Sequence, residues 1–221
     1  FTERDKMFNF FKRKQEKPPV DAEQLHHEAR VLGQAGKYDA AIEKLRAAIA
    51  AKPDWAYPYY DLAFTYFLKG DSELALTYYR QTDAMEPRGF FTAKTAIYAL
   101  EGEATGKFPK AYMQIEWTDD HAQKLALATA LTQQVPEFAP GWKELAVLAD
   151  NGETQLHAIL QGLAKNPDAE TKGILLLNKA GLLNANGRQD AAKQLLQDMI
   201  ADVATTKTTL AMAKFVLQNF G

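Results

Sequence analysis

The feature that most constrains this chain is a recurrence of the same residue types at a spacing of about 34 residues. In the first half, small and turn-forming residues recur: Gly36 with Gly70, Ala41 with Ala75, Ala29 with Ala63, and Pro53 with Pro87. In the second half, the same step joins Trp142 to Leu176, Ala146 to Ala180, and Ala158 to Ala192. A period of this length indicates similar units that stack on one another, because one unit alone cannot bury its apolar surface.

The composition indicates that these units are helical. Alanine and leucine dominate, whereas glycine and proline fall at intervals and alternating strand patterns are largely missing. Small residues such as Ala29 and Ala63 allow two helices to approach closely. Glycine at 36 and 70 permits a tight turn between helices, and proline at 53 and 87 ends the second helix of a pair. We therefore predict an all-α fold.

The spacing of large and small residues resembles a known repeat pattern. The second unit has Tyr59-x2-Leu62-Ala63-x2-Tyr66, then Ala75-x3-Tyr79, then Pro87, and the first has Leu25, Glu28, Ala29, Leu32, Ala41, Leu45 and Pro53 at the same offsets. This resembles the tetratricopeptide repeat family, whose pattern is W-x2-L-G-x2-Y, A-x3-F and P. The resemblance implies a right-handed superhelical solenoid of antiparallel helix pairs, with about five units and a C-terminal capping helix.

The repeat register breaks once, in the middle of the chain. Units start near Ala22, Ala56 and Phe90, but the next clear start is Ala139, about 15 residues later than the period allows. We favour an insert near 105–119; the alternative is a short helix at 110–118 followed by an unpaired helix at 119–135. The predicted organisation is a partly disordered leader at 1–20, two well-matched units at 21–89, a degenerate third unit at 90–138, two further units at 139–205, and the capping helix at 206–221.

Charge and composition argue against several classes of function. The 26 basic and 28 acidic residues give a net charge of −2, so no basic face for nucleic acid is expected. No apolar run approaches the ~20 residues of a transmembrane helix. Cysteine is absent, which excludes disulfides and thiolate metal sites and is compatible with the cytoplasm. We predict a cytoplasmic protein without a transmembrane segment.

Residues suited to catalysis are scarce. Ser72 is the only serine, it lies in an expected interhelical turn, and no glycine-rich phosphate loop occurs. The sequence Glu23-x-x-His26-His27 has carboxylate and imidazole groups one helical turn apart, but no second copy completes a metal site. We predict no catalytic residues, no metal and no cofactor, and therefore a protein that is not an enzyme.

The second unit carries more aromatic residues than packing requires. At ~100° per residue, Tyr57, Tyr60, Asp61 and Phe64 share an arc opposite the packing face. The resemblance implies that this arc of each first helix lines a concave groove. The same arc recurs one period earlier and one period later, and the candidate groove residues are His26, Arg30, Tyr57, Tyr60, Asp61, Phe64, Phe91, Lys94 and Tyr98.

These residues predict a scaffold or adaptor for other proteins. Aromatic side chains beside cations suit a partner peptide with an aromatic or aliphatic anchor and a carboxylate. The alternative is a self-associating structural protein, a possible homodimer, whose groove is filled by its own insert or leader. The insert has apolar residues for either a lid or an outer pad, namely Phe108, Tyr112, Ile115 and Trp117.

The leader combines an apolar and a basic cluster. Residues 7–14 are Met-Phe-Asn-Phe-Phe-Lys-Arg-Lys, and we expect Met7 to be the native start. Such a segment suits peripheral contact with an anionic membrane surface or docking on a protein. The alternative is a partly disordered leader that has neither role.

Overall fold

A computed structural model describes residues 21–104 and 111–219, and within these ranges every regular element is an α-helix. The leader at 1–20, the part of the predicted insert that includes Phe108, and residues 220–221 lie outside the described residues. The helices are α1 Ala22–Gln34, α2 Tyr38–Ala51, α3 Ala56–Lys69, α4 Ser72–Met85, α5 Ala93–Ala104, α6 Ala111–Trp117, α7 His121–Gln134, α8 Ala139–Leu148, α9 Gly152–Ala164, α10 Ala169–Ala185, α11 Gln189–Ala201 and α12 Lys207–Gln218.

Local sequence signals set the helix ends. The Asp21 carboxylate accepts hydrogen bonds from the backbone N–H groups of Glu23 and Gln24 and so caps α1. Gly70 ends α3 with a φ of +89°, a left-handed conformation that favours glycine, and the Asp71 carboxylate then caps α4. Because the connection is this short, α3 and α4 pack as an antiparallel hairpin.

Stacked hairpins bury the small residues that recur with the period of the sequence. Ala29, Ala41, Ala63 and Ala75 are all buried where α1 to α4 meet. Large side chains such as Leu62 fill the space around them. In the second half, α8 and α9 pair, as do α10 and α11, and α12 packs on both α10 and α11. The predicted all-α fold of stacked helix pairs is confirmed.

The chain also makes contacts that a one-dimensional stack does not have. Helix α10 packs against α5, although α6 to α9 lie between them in sequence. The buried Glu170 carboxylate accepts hydrogen bonds from the backbone N–H groups of Thr95 (3.0 Å) and Lys94 (3.4 Å) at the start of α5. The carbonyl of Arg88 accepts a hydrogen bond from the Lys207 N–H (2.7 Å). The later helices therefore fold back onto the start of the third unit, and we call this contact the closure.

Candidate functional site

An open cavity of about 330 Å³ lies between α3, α5 and α6, and we call it the groove cavity. Its volume is at the lower end of the range found for ligand pockets. Most of its wall is apolar or aromatic. The lining residues are Tyr60, Asp61, Phe64, Phe67, Tyr79, Thr92, Thr95, Ala96, Ala99, Leu100, Tyr112, Met113 and Glu116. Three candidates from the sequence, Tyr60, Asp61 and Phe64, thus share one cavity.

The rim of the groove cavity carries charge. Asp61 Oδ2 lies 2.7 Å from Nε2 of the buried His26 and 4.0 Å from Nε of the exposed Arg30. This contact joins α1 to α3 and occupies the imidazole of His26. Glu116 adds a second carboxylate on the α6 side. Two carboxylates therefore face the cavity, and Arg30 is the exposed cation beside Asp61.

An aromatic cluster adjoins the groove cavity through Tyr60 and Tyr79. Tyr57 packs edge-to-face on Phe90 at a centroid distance of 4.9 Å, and Tyr60 packs on Phe91 at 5.2 Å and on Tyr79 at 5.5 Å. Such ring pairs contribute about 1 kcal/mol each beyond the area that they bury. Tyr60 is therefore largely a packing residue.

Burial affects the chemistry of Tyr60. Burial raises the pKa of its phenol, and the hydroxyl forms a 2.8 Å hydrogen bond with Thr92 Oγ1. The phenol is therefore neutral across the physiological pH range. It contributes a hydrogen bond and a ring face to the cavity wall and carries no charge.

Three aromatic candidates expose much of their surface in this region. Phe64 is 37% exposed and lines the cavity wall, whereas Phe91 (56% exposed) and Tyr57 (44% exposed) do not line it, although Phe91 packs on Tyr60. Phe91 also has a φ of +48°, which is uncommon for a residue with a side chain. Exposed aromatic rings beside an apolar cavity are typical of a binding surface.

Lys94 and Tyr98 lie away from the groove cavity. Lys94 Nζ contacts Asp83 Oδ1 at 2.6 Å, and both Lys94 and Tyr98 line a separate shallow depression beside Asp168. Tyr98 packs on Phe138 at 6.0 Å. One full period from Tyr60 and Phe64 thus reaches Lys94 and Tyr98, which lie on the face of α5 that lines this separate depression.

Helix α6 forms one wall of the groove cavity. Tyr112 and Met113 line it, whereas Ile115 is buried in the core of the second half and Trp117 is exposed. The phenol of Tyr112 is also buried, which raises its pKa. This part of the chain is thus packed beside the cavity and does not fill it.

The sequence pattern missed several cavity residues. Ala96, Ala99 and Leu100 face the cavity from α5, and a step of 34 residues from Tyr60 or Phe64 does not reach them. The turn sequence Pro87-x-Gly89, in which Gly89 has a φ of +89°, precedes α5. Nothing periodic marks Met113 or Glu116, which come from the segment that breaks the repeat.

The described residues offer little for other chemistry. Within 21–104 and 111–219, no group of three or more carboxylate or imidazole side chains is arranged to hold a metal ion. Among the same residues, no helix has both the length and the apolar character needed to span a membrane.

Comparison with known proteins identifies the repeat. The family model of the TPR repeat matches residues 29–70, which cover most of α1 to α3. Residues 29–70 thus carry tetratricopeptide repeat sequence, as the spacing predicted. No curated protein sequence matches the chain.

Several solved structures resemble this chain. MamA from Desulfovibrio magneticus RS-1 is 13% identical, with 80% of this chain and 92% of that chain covered and a TM-score of 0.39. TTC0263, a TPR protein of Thermus thermophilus, is 19% identical, with 90% and 100% covered and a TM-score of 0.38. A flexible tandem repeat domain of bacterial cellulose synthase is 21% identical, with 91% and 94% covered and a TM-score of 0.38.

Proposed function

We propose that this protein is a non-enzymatic scaffold that binds a peptide segment of a partner protein in the groove cavity. Tetratricopeptide repeat proteins are generally interaction scaffolds, and the repeat match at residues 29–70 supports that class. The finer proposal, a peptide site between α3, α5 and α6, comes from the cavity itself.

The observation that carries the proposal is an apolar cavity with an exposed ring in its wall. The cavity measures about 330 Å³, and Phe64 leaves 37% of its surface in water there. Such a cavity suits one or a few apolar side chains of an extended segment or of a helix face. The neighbouring hydrogen-bonding groups, Thr92 and Asp61, provide polar contacts that orient a bound chain.

The charges beside the cavity favour a cationic peptide over an acidic one. Two of the cations that the sequence placed beside the rings are occupied: His26 contacts Asp61, and Lys94 contacts Asp83. Asp61 is shared by His26 and Arg30, so Glu116 is the exposed carboxylate at the cavity that favours a cation. We therefore propose that the bound peptide carries a lysine or arginine next to its apolar anchor, and not the carboxylate that the sequence led us to expect.

The test is a binding screen with an arrayed peptide library and three purified chains. Wild type is compared with Phe64→Asp, which places a charge in the apolar wall, and with Phe215→Asp as the matched control. Phe215 is 67% exposed on α12 and does not line the cavity. Phe64→Asp is expected to weaken binding of the selected peptides at least tenfold, whereas Phe215→Asp binds like wild type.

The screen contradicts the proposal if Phe64→Asp binds the selected peptides as tightly as wild type. Circular dichroism of all three chains checks that the helical fold persists. Tyr60 is unsuitable as the test position because it packs on Tyr79 and Phe91. Its truncation would disturb the fold as well as the cavity.

A further inference from the structure

We infer that the groove cavity is the docking site for the chain's own leader, residues 7–14, which a partner peptide must displace. This inference rests on the proposed function, because it assigns a regulatory occupant to the same cavity. The leader lies outside the described residues, so the inference depends on its sequence, the cavity and the distance between them.

The leader has the chemistry that the cavity selects. Its apolar part, Met7 to Phe11 with only Asn9 polar, is followed directly by Lys12, Arg13 and Lys14. The cavity offers an apolar wall around Phe64 and the exposed carboxylate of Glu116, whereas Asp61 already contacts His26 and lies 4.0 Å from Arg30. Aromatic side chains enter the apolar wall while the adjacent cations meet Glu116, so the two surfaces are complementary in both polarity and charge.

The leader also begins close enough to reach the cavity. Asp21, the first described residue, caps α1, and five residues later His26 contacts Asp61 of the cavity rim. Five residues of helix rise about 8 Å. Residues 15–20 separate the basic cluster from Asp21, and an extended chain of that length spans at most roughly 23 Å. The tether is therefore long enough to bring Phe11 and the basic cluster to Asp61.

Attachment to the same chain makes even a weak contact effective. A covalent connection of a few residues raises the effective concentration of the leader at the cavity, so the leader competes with any peptide in free solution. The consequence is a measurable difference: a chain with a disabled leader binds the same peptide more tightly than wild type.

The first experiment uses a labelled synthetic peptide with the sequence of residues 7–17 as the probe. It is titrated into the wild-type full chain, into a full chain with Phe8→Ser, Phe10→Ser and Phe11→Ser, and into Asn9→Ser as the control for the same segment. We expect the triple variant to bind the probe about tenfold more tightly than wild type or Asn9→Ser. Equal affinity for all three chains would overturn the inference.

The second experiment locates the leader directly. The chain has no native cysteine, so Asn9→Cys with Met113→Cys creates a single pair, one member of which lies in the cavity wall. Mild oxidation is expected to yield an intrachain disulfide. The control pair, Asn9→Cys with Gln189→Cys, joins the leader to an exposed position of α11 and is expected to stay reduced.

The outcomes separate this inference from the proposed function. A disulfide that links two chains, or equal oxidation of both pairs, would refute docking within one chain. If the triple leader variant changes nothing while Phe64→Asp still abolishes binding of library peptides, the leader inference fails and the peptide site stands. If Phe64→Asp has no effect on the binding of library peptides, the proposed function fails, and the leader inference that rests on it fails as well.

Discussion

The closure between α5 and α10 depends on one buried carboxylate, and it predicts an unusual pH dependence of stability. Glu170 is 8% exposed, and burial raises its pKa from the ordinary 4.5 to about 7. The neighbouring Asp168 carboxylate adds to the rise, while hydrogen bonds from the Thr95 and Lys94 N–H groups oppose it. The cost of burying the charge therefore outweighs the stabilisation that the N-terminus of α5 gives to the ionised carboxylate.

The sign and size follow from proton binding. Between pH 4.5 and 7 the folded chain holds a proton on Glu170 that the unfolded chain has lost, so stability falls as pH rises through this range. The contribution of Glu170 protonation to the free energy of unfolding is fully present below pH 4.5 and lost above pH 7. A rise of the pKa from 4.5 to about 7 corresponds to about 3 kcal/mol in the free energy of unfolding.

Glu170→Gln tests this reasoning because the amide resembles the protonated acid and does not titrate. Urea unfolding of wild type and variant at pH 5 and pH 8 gives four free energies of unfolding. Relative to the variant, wild type is expected to lose about 3 kcal/mol between pH 5 and pH 8. Glu43→Gln, an exposed position on α2, is the control and should follow wild type.

The opposite result would refute the reasoning. If wild type gains stability relative to Glu170→Gln as pH rises, the backbone N–H groups of α5 outweigh the cost of burial. The carboxylate would then be a charged cap of α5. Parallel pH profiles for the two chains would mean that Glu170 has the same proton affinity in the folded and unfolded states.

Two further predictions use matched positions. Gly173→Ala places a methyl group 2.6 Å from Thr209 Cγ2, so α10 and α12 must separate and thermal denaturation should show a loss of about 1–3 kcal/mol. Gly181→Ala in the same helix meets no atom within 4 Å and should stabilise by up to about 1 kcal/mol; a similar effect at both sites would contradict the packing. Tyr60→Ala is expected to lower the melting temperature because it removes packing of α3 on Tyr79 of α4 and on the turn before α5, whereas Phe64→Ala, at a more exposed ring, should change it little; equal losses would show that both rings are core.

The period of the sequence predicted the first two hairpins well because their packing is local. Ala29 and Ala63 recur because each helix pair must approach its neighbour in the same way, and both are buried. The same rule placed Tyr60 and Phe64 on one helix face, and the structure brings both to the groove cavity. Where each helix pair packs against the same kind of neighbour, residues one period apart lie in similar packing environments, so the period predicts which of them are buried.

The period gave less information where neighbours differ. On α5 the period selects Lys94 and Tyr98, which lie away from the cavity, whereas Ala96 faces it. The closure joins residues far apart in the chain, such as Thr95 and Glu170, which are 75 positions apart, and contacts of that separation leave no periodic signal. Three threonines near this contact are buried, although polar side chains are ordinarily predicted to lie at the surface; they are Thr205, Thr206 and Thr209.

The cavity and the closure meet at one residue, which links recognition to the fold. Thr95 lines the groove cavity, and its hydroxyl and N–H also bond Asp168 and Glu170 of α10. The closure thus holds the start of α5, which forms one wall of the groove cavity. A wall that is held in place before binding loses less conformational freedom on binding, which raises affinity for any given set of contacts. Under the proposed function, the later repeats would contribute to recognition without touching the peptide, because they hold α5, which forms one wall of the groove cavity.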